Sequence, residues 1–168
     1  IALGTHANKQ GRIAGPNIAG GQAAFGGVLG TASPRFQGVE IARTGLAERE
    51  AEAAGFDAVG VITESSSRAQ YFPGAQPMKI KILGERGTGR LLGAQIVGGE
   101  GAGKRIDVLA TALWNNMTVA EIGGMDLSYA PPFSPVWDPV LLAAGKAAAQ
   151  KNLKIAAGLM CRHSKNRQ

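Results

Sequence analysis

Thirteen residues, Ser128-Tyr129-Ala130-Pro131-Pro132-Phe133-Ser134-Pro135-Val136-Trp137-Asp138-Pro139-Val140, hold four prolines and three aromatic side chains just ahead of an apolar helical pattern. Proline fixes φ and has no N–H to donate, so this stretch cannot be an interior strand or the middle of a helix. It is expected to be a stiff loop of low entropy that holds Tyr129 and Phe133 in set positions.

A chain of 168 residues can bury roughly 70% of the surface its unfolded form exposes, enough for one solid core. Its 25 glycines are about twice the usual share, which points to close backbone approaches and many turns. The net charge is +6, but the basic residues are scattered and no stacking-aromatic motif accompanies them, so nucleic acid is not an expected partner. The exception is a basic tail, Lys151, Lys154, Arg162, Lys165 and Arg167, of the kind that is usually solvated or disordered. A single cysteine, Cys161, forms no internal disulfide, and a reduced, cytoplasmic setting is the simplest reading. No apolar run reaches the ~18 residues that span a membrane. The N-terminus has no signal-peptide pattern, and Ile1 in place of Met reads as a trimmed or excised chain.

Residues 5–20 read as a helix, with Ala7, Gly11, Ala14 and Ile18 making one nearly flat face and Pro16 a point of bending. Residues 36–43 read as a strand, and Thr44 as the N-cap of a helix over 46–54 with Glu48 and Glu50 at its positive end. Asp57 to Thr63 reads as a second strand, followed by a polar loop that holds Tyr71-Phe72-Pro73-Gly74. Met78-Lys79-Ile80-Lys81-Ile82 alternates strictly, as a half-buried strand does, and residues 90–97 return as its partner after a turn. A strong helix spans 102–115 with Ile106, Leu109, Ala110 and Leu113 on one face. Thr118 with Glu121 is a capping box for a short helix, and a last helix runs from about Trp137 to Gln150. This order predicts an α+β fold: a mostly antiparallel sheet of three to four strands flanked by helices.

Gly98-Gly99-Glu100-Gly101-Ala102-Gly103-Lys104-Arg105 follows a strand, opens a helix and nearly fits the phosphate-cradling loop. That loop needs a Ser or Thr hydroxyl after the lysine as a magnesium ligand, and Arg105 cannot supply one. The stretch is therefore read as a glycine-rich strand-to-helix corner, with Lys104 and Arg105 solvated or paired with acids. The two histidines, His6 and His163, lack the spacing of a metal site, and no metal is expected. Cys161 with His163 is a possible thiol pair in the tail.

Several segments together resemble one family. Leu3 to Gly20, reading LGTHANKQGRIAGPNIAG, looks like the last flavin-contacting helix of FAD-dependent pyridine nucleotide-disulfide oxidoreductases. Ala42-Arg43-Thr44-Gly45-Leu46 and Gly93-Ala94-Gln95-Ile96-Val97-Gly98 look like the C-terminal dimerisation domain of that family. Arg105 to Leu113 and the proline loop are closest to the coenzyme A-disulfide reductase and NADH oxidase branch. The resemblance implies that residues 1–24 are the terminal helix of an otherwise missing FAD domain, 35–150 the interface domain and 151–168 a tail outside the resemblance. It implies FAD and NAD(P)H as cofactors of the full-length protein, with none held tightly by this chain alone. It implies a homodimer, and as further partners the missing FAD and NAD(P)H domains of the same polypeptide.

In that branch, tyrosines of the interface domain reach the partner subunit's active site. Tyr71 and Tyr129 match those positions and are the two tyrosines of the chain. A phenol on a rigid loop can hydrogen-bond a thiolate or assist proton transfer. The other reading is that both pack at the interface with their hydroxyls satisfied. Ala7, Asn8 and Gln10 are the flavin-contacting candidates at the N-terminal end of the first helix, where free N–H groups and the positive dipole suit an electron-rich ring edge. The apolar faces of 102–114 and 137–149 need cover on more than one side, from a second copy or from the chain's own core. A stand-alone module with no catalytic duty is the alternative to an interface domain.

Overall fold

The computed structural model describes residues 3–150, so the basic tail, Cys161 and His163 lie outside the described residues. The elements in chain order are α1 (Gly4–Ile18), β1 (Arg35–Phe36), β2 (Val39–Gly45), α2 (Glu48–Ala53), β3 (Ala58–Ser66), β4 (Pro77–Glu85), β5 (Leu91–Gly98), α3 (Ala102–Trp114), α4 (Val119–Gly123) and α5 (Pro139–Ala149). The fold is α+β. One sheet runs in the order β1-β2-β5-β4-β3, and every neighbouring pair is antiparallel.

Five strands stand where three to four were expected. The stretch read as one strand over 36–43 is a hairpin, in which Phe36 pairs with Val39 across Gln37 and Gly38. Both turn residues have positive φ, 47° and 82°, the two-residue turn whose twist matches that of the flanking strands. Thr44 is not a helix cap. It lies in β2 opposite Ala94, is buried, and its hydroxyl shares a 2.7 Å hydrogen bond with that of Thr31. The Glu50 carboxylate takes over the capping of α2, accepting the Ala47 N–H at 2.6 Å. The last helix starts two residues later than Trp137, at Pro139, with Asp138 as its N-cap.

Alternation sets the core. Met78, Ile80 and Ile82 of β4 face inward with Ile96 and Ala94 of β5 and Ala42 of β2, while Lys79 is exposed. Ile106, Leu109 and Ala112 of α3, Val119 and Ile122 of α4, and Val140, Ala143, Ala144 and Ala147 of α5 close that face. Each fully buried Ile, Leu or Met contributes about 1.5–3 kcal/mol relative to exposure. The apolar side of α5 is thus covered within the chain, against α4, β3 and β4. Exposed apolar surface lies on the proline loop, at Phe133, Val136 and Trp137, and on the other sheet face, at Val39, Ile41, Ile62 and Val97. A smaller cluster of Ala51, Leu83 and Leu92 lies under α2. The helix α1 buries His6 alone among its residues.

Candidate functional site

Two loops carry the tyrosines, and α3 holds both. The glycine-rich corner ends at Gly101, whose φ of 93° starts α3. This places Lys104 and Arg105 in the first turn of the helix. Both are paired with acids, as expected of the corner. Lys104 meets Asp107, whose carboxylate holds the ammonium above its usual range. Arg105 meets Asp138, with Nε 2.9 Å from Oδ2 and both side chains nearly buried.

The first loop follows β3. Its base is closed by the Ser67 N–H donating to Gln76 O at 2.8 Å and the Gln76 N–H donating to Ser67 Oγ at 3.0 Å. Inside it, the Phe72 N–H donates to Ala69 O, and Tyr71 stands at the tip, 77% exposed. The second loop turns at Pro131-Pro132, where Ala130 O accepts from the N–H groups of Phe133 and Ser134 at 2.9 and 3.0 Å. Asp138 ties its end: Oδ1 accepts the Val140 N–H at 2.8 Å and Oδ2 accepts the Ser134 hydroxyl at 3.0 Å. The Arg105 Nη2 then donates to Ser67 O at 2.7 Å and to Phe133 O at 2.8 Å, one carbonyl from each loop.

The structure brings Tyr71 and Tyr129 together. The neighbouring Tyr71 side chain is the largest cause that holds the Tyr129 phenol above its ordinary value of 10.0, with loss of hydration second. Tyr129 is 47% exposed, so the pair sits on a surface with its outer side open. Chemistry at such a pair needs a second wall supplied from elsewhere.

Ala7, Asn8 and Gln10 lie elsewhere, all exposed on α1, and the Asn8 amide donates to Gly4 O at 3.0 Å. A cavity of about 880 Å³ opens between α1, the segment 28–34 and α3. It is lined by His6, Lys9, Asp107 and Trp114 among others, not by those three residues. A second cavity, of about 530 Å³, is lined by Leu29, Arg43, Glu50, Arg90 and Leu113. Neither includes a tyrosine. Among the described residues, no group of three or more His, Cys, Asp or Glu could hold a metal ion. None of the described helices is long and apolar enough to cross a membrane. Ser67, Ser134 and Asp138 are the site residues that sequence reasoning missed. The only local signal was Asp138-Pro139, a capping residue followed by a proline suited to the first helical position.

Residues 31–139 match the family described as the pyridine nucleotide-disulphide oxidoreductase dimerisation domain. The chain is 43% identical over 144 residues to the NAD(P)H coenzyme A polysulfide/persulfide reductase of Pyrococcus horikoshii, a match that covers 86% of the chain and 32% of the relative. It is 35% identical over 123 residues to the coenzyme A disulfide reductase of Staphylococcus epidermidis, covering 73% of the chain and 28% of the relative. The solved NAD-dependent persulfide reductase of A. fulgidus superposes with a TM-score of 0.84 at 44% identity, over 88% of this chain and 27% of that one. The chain spans about a third of the length of the curated relatives it matches.

Proposed function

The chain belongs to the pyridine nucleotide-disulphide oxidoreductase family, as its dimerisation domain, and from that premise we propose that residues 35–150 join two protomers of a flavoprotein and lend Tyr71 and Tyr129 to the partner's active site. The observation that carries this reading is the tyrosine pair itself, two phenols from separate loops brought side by side and left open on their outer side. A domain that finished its own active site would cover them. The exposed Phe133, Val136 and Trp137, on the same loop as Tyr129, are of the apolar and aromatic kind found in the core of protein interfaces.

The reaction proposed is the reduction of a sulfur–sulfur bond at the expense of NAD(P)H, in line with the names of the relatives. FAD bound by the rest of the full-length protein would supply the electron transfer between nicotinamide and disulfide. The part of this chain is to place phenol protons beside the sulfur: the tyrosine pair presents an outward O–H that donates a hydrogen bond to a sulfur anion as it forms, without giving the proton up. The reacting sulfur and the redox cysteine lie outside this chain.

Residues 1–24 are proposed as the terminal helix of the FAD domain. An α-helix of 15 residues with one buried side chain gains little from this domain and needs cover from another body. Its N-terminus suits a flavin edge: the first turn has no acidic residue and no side-chain cap, and the helix dipole is positive there, although the His6 and Ala7 N–H groups already donate to Leu3 O. Backbone donors of that turn, with Ala7, Asn8 and Gln10, would form one edge of the flavin site, too little to retain FAD alone. The lone cysteine of the chain and the reducing chemistry support a cytoplasmic setting.

The test is Tyr129→Phe and Tyr71→Phe in the full-length enzyme. Turnover should fall while flavin content and subunit assembly are kept; unchanged turnover would reject the catalytic role. A stand-alone module is favoured by one observation, the closure of α5 within the chain's own core. Light scattering of the chain decides between them, because an interface domain self-associates and a free module stays single.

A further inference from the structure

The buried ion pair beneath the two tyrosine loops has no obvious thermodynamic reason to be there. Taking a guanidinium and a carboxylate out of water costs about as much as their attraction returns, and an apolar pair of the same volume often does as well or better. At 11% and 12% exposure, Arg105 and Asp138 are close to that regime. What an apolar pair could not reproduce is direction. Arg105 uses a planar fork to reach three partners at once: Asp138 through Nε, and Ser67 O and Phe133 O through Nη2, with Gly101 O of its own helix behind Nη1 at 3.4 Å.

The two carbonyls are the fixed ends of the two tyrosine arms. Tyr71 lies four residues beyond Ser67, and Tyr129 lies four residues before Phe133. Each arm is short and stiffened: the first by the Ser67–Gln76 closure, the second by the turn on Ala130 O and its prolines. Both arms therefore inherit their origin from one guanidinium on a rigid helix.

We propose that Arg105 is a positioning residue, which sets the separation of the Tyr71 and Tyr129 hydroxyls by clamping Ser67 O and Phe133 O to the first turn of α3, with Asp138 fixing the rotation of the fork. This rests on the reading that the two tyrosines serve one site. Lysine cannot replace the fork. Its ammonium is a single charged centre on a flexible stem, so it keeps the attraction to Asp138 and loses the fixed, simultaneous hold on both carbonyls.

The test uses the two tyrosines of the 168-residue chain as the only tyrosine reporters. Photo-oxidation couples phenols that meet into fluorescent dityrosine, and product at the mass of one chain reports pairing within the chain. In Arg105→Lys the intramolecular dityrosine yield should fall several-fold, with the far-UV spectrum close to that of the parent and a cooperative unfolding transition retained at a somewhat lower midpoint. Parent-level yield in the folded variant overturns the proposal. If Arg105→Lys does not fold, Asp138→Asn takes its place: a several-fold loss supports the proposal and an unchanged yield overturns it. The cross-link reads geometry without turnover. A loss of cross-link combined with normal turnover of the Tyr→Phe enzymes would therefore keep the clamp and reject the catalytic reading. In the full-length enzyme, Arg105→Lys should lower kcat in the same direction as Tyr129→Phe, and the double variant should lose little more than the worse single one.

Discussion

The carboxylate of Glu40, on β2, accepts the backbone N–H of Gly103, in the first turn of α3, at 2.7 Å. The helix N-terminus that mimics a phosphate loop in sequence thus already holds an anion, one supplied by the chain itself. The pairing also ties β2 to the turn from which Arg105 projects.

Glu40→Ala should lower stability by about 1–2 kcal/mol, the usual worth of a side-chain acceptor at a helix N-terminus. Glu40→Gln keeps an acceptor and loses the charge that the helix dipole favours, so its loss should be smaller. Chemical denaturation of the three proteins checks the order; equal stability of Glu40→Ala and the parent would contradict it.

The same change at two glycines should have opposite effects. A Cβ on Gly93 would run into the backbone of Leu46, so Gly93→Ala should cost about 1–3 kcal/mol by overpacking. Gly11 lies within α1 with open space at the Cβ position, so Gly11→Ala should favour the helix by about 0.5–1 kcal/mol. Unfolding midpoints read the first and far-UV helix content the second.

Tyr129 should titrate above free tyrosine, since its neutral form is stabilised by Tyr71. A folded-state value raised above the unfolded one gives stability that is fully present below pH ~10 and is lost as pH climbs through that range. Tyr71→Phe removes the main cause and should lower the Tyr129 midpoint. Tyrosinate absorbance checks this, and an unmoved midpoint would count against the pairing of the two phenols.

What is legible in the sequence rests on short-range physics. Thr118 accepts from the Glu121 N–H at 3.2 Å and donates its own N–H to the Glu121 carboxylate at 2.8 Å, because a capping box needs four consecutive residues. The alternation of Met78 to Ile82 likewise named its buried face directly. Thr44 satisfies the local rule for a cap, a threonine before an acidic helix start, yet it is a buried strand residue. Only pairing with Ala94 puts it on the inner face of β2. The Gln37-Gly38 turn was missed because a glutamine at positive φ is uncommon.

The sequence alone determined the class of fold, the glycine-rich corner, the rigidity of the proline loop and the kinship of the chain, since propensity, periodicity and motif act over a few residues. Tertiary structure decided which faces are sealed and what Arg105 does. Its partners Phe133, Asp138 and Ser67 lie 28, 33 and 38 residues away. A hydrogen-bond fork has direction, and direction exists only after the sheet and α3 have packed.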